Sequence, residues 1–195
     1  FCVSKGTIEQ QGAFLVDLAA SQMAGRKAPV KKVAFLYSSP ELVEQNQWVA
    51  AAKAKILKDY PSWNIVATQY GYGEAQASLE AATAMLKVYA DLDVVICLDA
   101  TALRAAAQAV EKLDLGDKVA VTGFSAPAAA KKYVKSGTVK KFGLWDVATQ
   151  ARIAVYLAAQ LASGAVFKAG DTVEIPEVGR VALRPNAGGR NGTAN

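Results

Sequence analysis

No histidine occurs among the 195 residues. That absence removes Ser-His-Asp and Cys-His catalysis together with the commonest metal ligand. The two cysteines, Cys2 and Cys97, are too few for a metal site. Both lie in apolar, strand-like surroundings, which favours buried thiols over a disulfide. No apolar run reaches the roughly 18 residues that span a bilayer, because Lys, Arg, Asp or Gln interrupts each long one, so no integral membrane protein is expected. The chain opens at Phe1 without a basic-then-apolar leader, and the expectation is that a leader was removed or that the sequence begins mid-protein. Nucleotide signatures are lacking too. Tyr70-Gly71-Tyr72-Gly73-Glu74 has no third glycine of a dinucleotide fingerprint, and no Gly-Lys-Ser/Thr follows it. Gly123-Phe124-Ser125-Ala126-Pro127 starts like a nucleophile elbow, but Pro127 replaces the final glycine and no base exists for Ser125, so it reads as a strand-to-helix turn.

What is present is the composition of a globular protein, 52% hydrophobic and 20% charged, in a chain long enough for one sizeable core with an appendage. Lysine and arginine give a formal net charge of +5. The densest basic pairs, Lys31-Lys32, Lys131-Lys132 and Lys140-Lys141, are spread along the chain without interleaved aromatics. They read as solvated surface rather than a nucleic-acid interface.

Helical and strand patterns alternate, the mark of βαβ units and a parallel sheet. A helix is expected from Thr7 to about Ala24, opened by a Thr7/Gln10 capping box and ended by Gly25. Strands are expected at Lys32–Tyr37, Trp63–Tyr70, Asp93–Leu98, Lys118–Thr122 and Val139–Leu144. Helices are expected at Pro40–Tyr60, Glu74–Tyr89, Ala100–Lys112, Ala126–Ser136 and Val147–Ser163, with Pro40 and Pro127 tolerated in first turns. Thr172–Ile175 and Arg180–Leu183 are short strand candidates. The Gly/Asn-rich end reads as a mobile tail.

In an open parallel sheet ligands sit beyond the carboxyl ends of the strands. On that edge the sequence gathers Ser38, Ser39, Glu44 and Gln45 after one strand, Asp99 and Thr101 after another, Ser125 after a third, and Trp145 with Asp146 after a fourth. Carboxylates and amides together suit a polyhydroxylated solute, since Glu44 accepts while Gln45 and Asn46 both donate and accept. Trp48 is either an apolar wall of this crevice or a core residue behind an ordinary polar helix start. Glu44 with Asp99 can in principle do acid/base work, but a crevice without other catalytic groups favours hydrogen bonding to a bound ligand.

At Tyr37-Ser38-Ser39-Pro40 and Gln45-Asn46-Gln47-Trp48 the chain closely resembles the autoinducer-2-binding receptors of the Lsr transport system, within the type I periplasmic sugar-binding superfamily. Gln69-Tyr70-Gly71-Tyr72, Tyr89-Ala90-Asp91-Leu92-Asp93, Val121-Thr122-Gly123-Phe124-Ser125 and Gly137 through Asp146 resemble family segments in the same order, over about residues 5–183. The resemblance implies a three-layer doubly wound α/β lobe, the second of two, over 1–146. Residues 147–183 would supply the helix and short strands of a return crossing, and 184–195 the mobile tail. The first lobe would precede Phe1. It further implies a non-enzymatic periplasmic receptor without cofactor or metal, which closes two lobes on its ligand and delivers it to an ABC permease.

The family's aspartate-glutamine pair falls on Glu44 and Gln45, and its proline and alanine fall on Leu98 and Ala100, either side of Asp99. Trp145 and Asp146 would lie at the hinge. Glu44 adds a methylene and Leu98 removes a ring with fixed φ. A related sugar or polyol therefore fits the same crevice equally well.

Two other classes compete with the receptor reading. One is the effector-sensing core of a transcription regulator, which would need a DNA-binding helix-turn-helix ahead of Phe1. The other is a degenerate single lobe acting as an interaction module, in which Val147, Ala151, Ala154 and Leu161 form an apolar stripe for a missing first lobe or for self-association through Val147–Leu161.

Overall fold

The computed structural model describes residues 6–25 and 31–185. Cys2 and the tail from Asn186 onward lie outside the described residues. Two compact units divide the chain, one running from Gly6 to Leu144 and the other including 145–185.

In the first unit, α1 (Ile8–Met23) is opened by the expected capping box. The Thr7 backbone N–H donates to Gln10 Oε1 at 2.9 Å, and the Gln10 N–H donates to Thr7 Oγ1 at 3.2 Å. β1 (Lys31–Tyr37), α2 (Val43–Asp59), β2 (Trp63–Tyr70), α3 (Ala75–Val88), β3 (Val94–Cys97), α4 (Ala100–Lys112), β4 (Ala120–Gly123) and α5 (Pro127–Lys135) follow. All four strands pair in parallel in the order β2-β1-β3-β4. The fold is therefore the expected α/β parallel sheet with helices on both faces.

Two-sided coverage explains why β1 from Val33 onward and the whole of β3 are continuous apolar runs. Ala34, Leu36, Val95, Cys97 and Val121 point to one face, where they join residues of α3, α4 and α5 in a single cluster. Val33, Phe35, Val94 and Ile96, buried as well, alternate to the other face. There α1 packs against α2, β3 and β4. Gly12 permits the close approach of α1 to α2, since a Cβ on it would lie 2.5 Å from Ala51 Cβ and 2.6 Å from the Ala52 nitrogen. Cys97 is a free, fully buried thiol. Burial pushes it well above the ordinary thiol range, and the Asp99 carboxylate adds to this.

Two expected elements differ. The helix expected from Pro40 starts at Val43, because Ser39-Pro40-Glu41-Leu42 forms a turn in which the Leu42 N–H donates to the Ser39 carbonyl at 3.2 Å. Serine and proline hold the first two positions such turns favour. The strand expected at Val139–Leu144 is reduced to one parallel bridge between Phe124 and Gly143. The Lys141 carbonyl is taken by side chains instead, accepting from Thr122 Oγ1 at 2.9 Å and Gln22 Nε2 at 3.1 Å.

In the second unit, α6 (Val147–Ala162) is capped by Asp146, and β5 (Thr172–Ile175) pairs antiparallel with β6 (Gly179–Ala182). Arg152 and Glu177 form an ion pair at 3.2 Å. Among the described residues no helix is long and apolar enough to cross a membrane.

Candidate ligand crevice

The sheet order places a topological switch point between β1 and β3. From β1 the chain passes to β2 on one side, and from β2 it crosses back over β1 to reach β3 on the other. Loops leaving the carboxyl ends of β1 and β3 therefore diverge and open a crevice.

Three of the expected residues meet there. The Ser38 hydroxyl donates to Asp99 Oδ2 at 3.0 Å, and the Ser38 backbone N–H donates to Gln45 Oε1 at 3.0 Å. Asp99 is also the N-cap of α4, accepting from the Ala102 N–H on Oδ1 at 2.8 Å. A carboxylate there is favoured by the unpaired amides and dipole of the helix start. Gln45, 9% exposed, lies in the first turn of α2 beside the exposed Glu44. Ala100, the first residue of α4, and Thr101 are half-buried. Leu98 lies in the same connection with its side chain enclosed, 1% exposed, and its N–H donates to the Leu36 carbonyl at 3.2 Å.

Other expected members stand apart from this hydrogen-bonded group. Ser39 is spent on its own turn, accepting from the Glu41 N–H at 3.1 Å and donating to the Glu41 carboxylate. Ser125 is buried beyond β4, where its N–H donates to the Gly143 carbonyl at 3.0 Å and its hydroxyl to the Ala126 carbonyl at 3.3 Å. Trp145 and Asp146 belong to the second unit. There Asp146 accepts from the Thr149 N–H at 3.0 Å and the Thr149 hydroxyl at 2.7 Å, bonds that hold its carboxyl below the usual range. Trp48 is a core residue, 3% exposed and edge-on to Phe124 at 5.7 Å between ring centroids. Its place on the inner side of α2 excludes the apolar-wall reading.

Sequence reasoning missed the supports of the crevice. Tyr37, 3% exposed, packs edge-on to Tyr70 at 4.9 Å and donates to Asn46 Oδ1 at 2.8 Å. Asn46 in turn donates through Nδ2 to the Pro40 carbonyl at 2.6 Å. Burial raises the Tyr37 phenol well above the usual tyrosine range, with the neighbouring Tyr70 adding to the shift. Across β1, the Gly71 N–H donates to the Tyr37 carbonyl at 2.9 Å and the Tyr72 N–H to the Ser38 carbonyl at 2.5 Å. Tyr72 takes a left-handed backbone, φ 52°, which is uncommon for a bulky residue, and leaves its side chain 62% exposed at the rim.

Several lysines have structural partners away from this edge. Lys31 lies 3.8 Å from Asp93, Lys32 pairs with Asp91, and Lys55 lies 3.2 Å from Asp17 and 2.9 Å from Asp59.

Residues 3–165 match the periplasmic binding protein domain. The chain belongs to that family. Its fold is that of one lobe of such a protein. As a periplasmic binding protein chain it is similar to LsrB from Clostridium saccharobutylicum solved in complex with AI-2, at 34% identity and a TM-score of 0.85, over 93% of this chain and 58% of that one. A sugar ABC transporter protein from Actinomyces odontolyticus matches at 28% identity and a TM-score of 0.82, over 91% and 57%. An ABC transporter solute binding protein from Clostridium phytofermentas with bound L-rhamnose shares the fold at 21% identity and a TM-score of 0.81, over 94% and 59%. The chain thus spans somewhat under three fifths of the length of these structures.

Proposed function

We propose that this chain supplies a ligand-holding lobe of a solute-binding protein that serves an ABC importer in the periplasm. It captures a small hydroxylated ligand, sugar-like or autoinducer-2-like, by lobe closure and without a covalent step. The observation that carries this reading is the convergence of Ser38, Gln45 and Asp99 at the switch point of the sheet, in a chain of this family. Gln45 has its Oε1 committed to Ser38, which leaves Nε2 as a donor for a ligand oxygen, while Glu44 serves as acceptor. Asp99 and Ala100 present the start of α4, Leu98 shapes the floor behind them, and Trp145 with Asp146 forms the hinge. The ligand class is supported by the relative solved with AI-2 and by the sugar transporter protein at 28% identity.

Calorimetry of the full chain with autoinducer-2, L-rhamnose, D-arabinose and D-allose tests the reading. Saturable binding of one of them is expected. No heat and no rise in melting temperature with all four at several hundredfold excess refutes it. The intact mass of the protein in its own host says whether that titration samples one lobe or two.

A second reading has an observation of its own. Val147, Ala151, Ala154 and Leu161 recur at helical spacing along α6 and are all exposed. On this reading the stripe receives a first lobe or a second copy of the chain, and a monomer at all concentrations by light scattering with no binding of hydrophobic dye argues against it.

A further inference from the structure

We propose that Ser38 is the positioning residue of the crevice, tying the first turns of α2 and α4 and the Gly71–Tyr72 loop to one point so that Gln45 and Ala100 are held at a fixed separation for a ligand that Ser38 itself does not touch. The inference rests on the ligand-binding reading and adds to it the device that sets the site's geometry.

All three hydrogen-bonding groups of Ser38 are spent, each on a different element. Its N–H holds Gln45 Oε1 at 3.0 Å, its carbonyl holds the Tyr72 N–H at 2.5 Å, and its hydroxyl holds Asp99 Oδ2 at 3.0 Å. The first two bonds use the backbone, so any residue but proline can make them at this position. The third needs a short side-chain donor. It is also the bond that crosses the switch point, since β1 carries Ser38 and β3 leads to Asp99.

Asp99 transmits the tie. One carboxylate oxygen takes the Ser38 hydroxyl and the other caps the Ala102 N–H at 2.8 Å, so Asp99 is bound to both elements at once. Ala100 follows it directly as the first residue of α4. Rotation of the Asp99 side chain is thus opposed from the β1 side, and the backbone at Ala100 inherits that restraint. Hydrogen bonds to a carboxylate are stronger than neutral ones, which suits a tie meant to hold a site rigid. A close-fitting polar site loses much of its affinity when its groups are misplaced by a fraction of an ångström to an ångström.

The test compares Ser38→Ala, Ser38→Thr and Gln45→Ala in the full chain by calorimetry, with autoinducer-2, L-rhamnose and D-arabinose as probes. Side-chain and backbone amide NMR shifts of Gln45, Ala100 and Ala102 are recorded without ligand. Ser38→Ala is expected to weaken the bound probe about tenfold, the loss of one charge-assisted hydrogen bond. Ser38→Thr, which restores the hydroxyl, is expected to stay within about threefold of the parent. The Ala100 and Ala102 amides should shift in Ser38→Ala and return in Ser38→Thr, a pattern that mere loss of stability does not produce. Unchanged affinity in Ser38→Ala while Gln45→Ala weakens binding overturns the positioning role and leaves the ligand reading standing. Equal weakening in Ser38→Ala and Ser38→Thr also overturns it, because the hydroxyl would then not be the agent. Failure of the parent to bind any of these probes or D-allose overturns the ligand reading and this inference with it.

Discussion

Tyr37→Phe isolates one hydroxyl beneath the crevice. Phenylalanine fills the same volume beside Tyr70, so the variant differs by the loss of the 2.8 Å bond to Asn46 Oδ1. Asn46 is half-buried and loses a donor it cannot fully replace from solvent. The expected loss at neutral pH is about 1 kcal/mol, or roughly 2–4 °C in melting temperature for a chain of this size. A second signature is found in base. Burial raises the folded-state pKa of Tyr37, so the group's contribution is fully present below the unfolded value of about 10. Above that value the unfolded chain releases a proton that the folded chain retains. Stability then falls with a slope of about 1.4 kcal/mol per pH unit from this one group, until the pH reaches the folded pKa. Tyr37→Phe removes that part of the slope and leaves every other tyrosine in place. Urea unfolding followed by circular dichroism at pH 7 and in steps from pH 9.5 to 11 measures both effects. Parallel alkaline limbs in parent and variant would refute the burial argument, whatever the loss at neutral pH.

Three further substitutions test other parts of the structure. Gln45→Ala should weaken the captured ligand by about 1–3 kcal/mol and also lower the melting temperature by roughly 2–4 °C, since the side chain it removes accepts the Ser38 N–H as well as facing the crevice; unchanged calorimetric affinity takes Gln45 out of the site. Gly123→Ala should destabilise the first unit by at least about 3 kcal/mol in urea melts, because its backbone is at φ 136° and a Cβ would lie 1.7 Å from the Cys97 carbonyl oxygen. Glu111→Gln should flatten the acid limb of stability. Hydrogen bonds from Ser136 and Thr138, together with the Lys132 ammonium, hold the Glu111 carboxyl below its ordinary value, so its contribution is present above about pH 4.5 and lost as the pH falls through the folded pKa. Urea midpoints from pH 3 to 7 that fall equally in parent and variant would show that the cluster adds nothing.

The strands and helices of the first unit were legible because apolar periodicity, alanine-rich helices and Gly or Asp punctuation agreed with one another. β2, α4 and β5 coincide with the expected spans residue for residue. Val139–Leu144 misled because it has a strand's composition while Thr122 and Gln22 occupy the Lys141 carbonyl that a ladder would use. Pro40 misled for a related reason. It is acceptable at either a helix start or the second position of a turn, and the Ser39 hydroxyl tips the balance to the turn through the Glu41 N–H. That Ser38, Gln45 and Asp99 share one edge with Ser39 and Ser125 was legible from parallel-sheet geometry. Their bonding was not, since the Tyr37–Asn46–Pro40 chain and the threefold use of Ser38 depend on side-chain directions that no residue pattern records. Trp48 was undecidable from spacing because an indole in the second turn of a helix can face either way.

Phe14 of α1 stacks on Phe124 at 5.8 Å, and Gln22 of the same helix holds the carbonyl of Lys141, 119 positions later. The earliest helix of this unit is thus completed by its latest residues. A growing chain therefore docks α1 in stages, on α2 first, then on β3, and on β4 only once Gly123 has emerged. The Gln22 bond to the Lys141 carbonyl is the last of these contacts to form, so a stop short of Lys141 leaves α1 seated on its neighbours but without the tie that closes the unit.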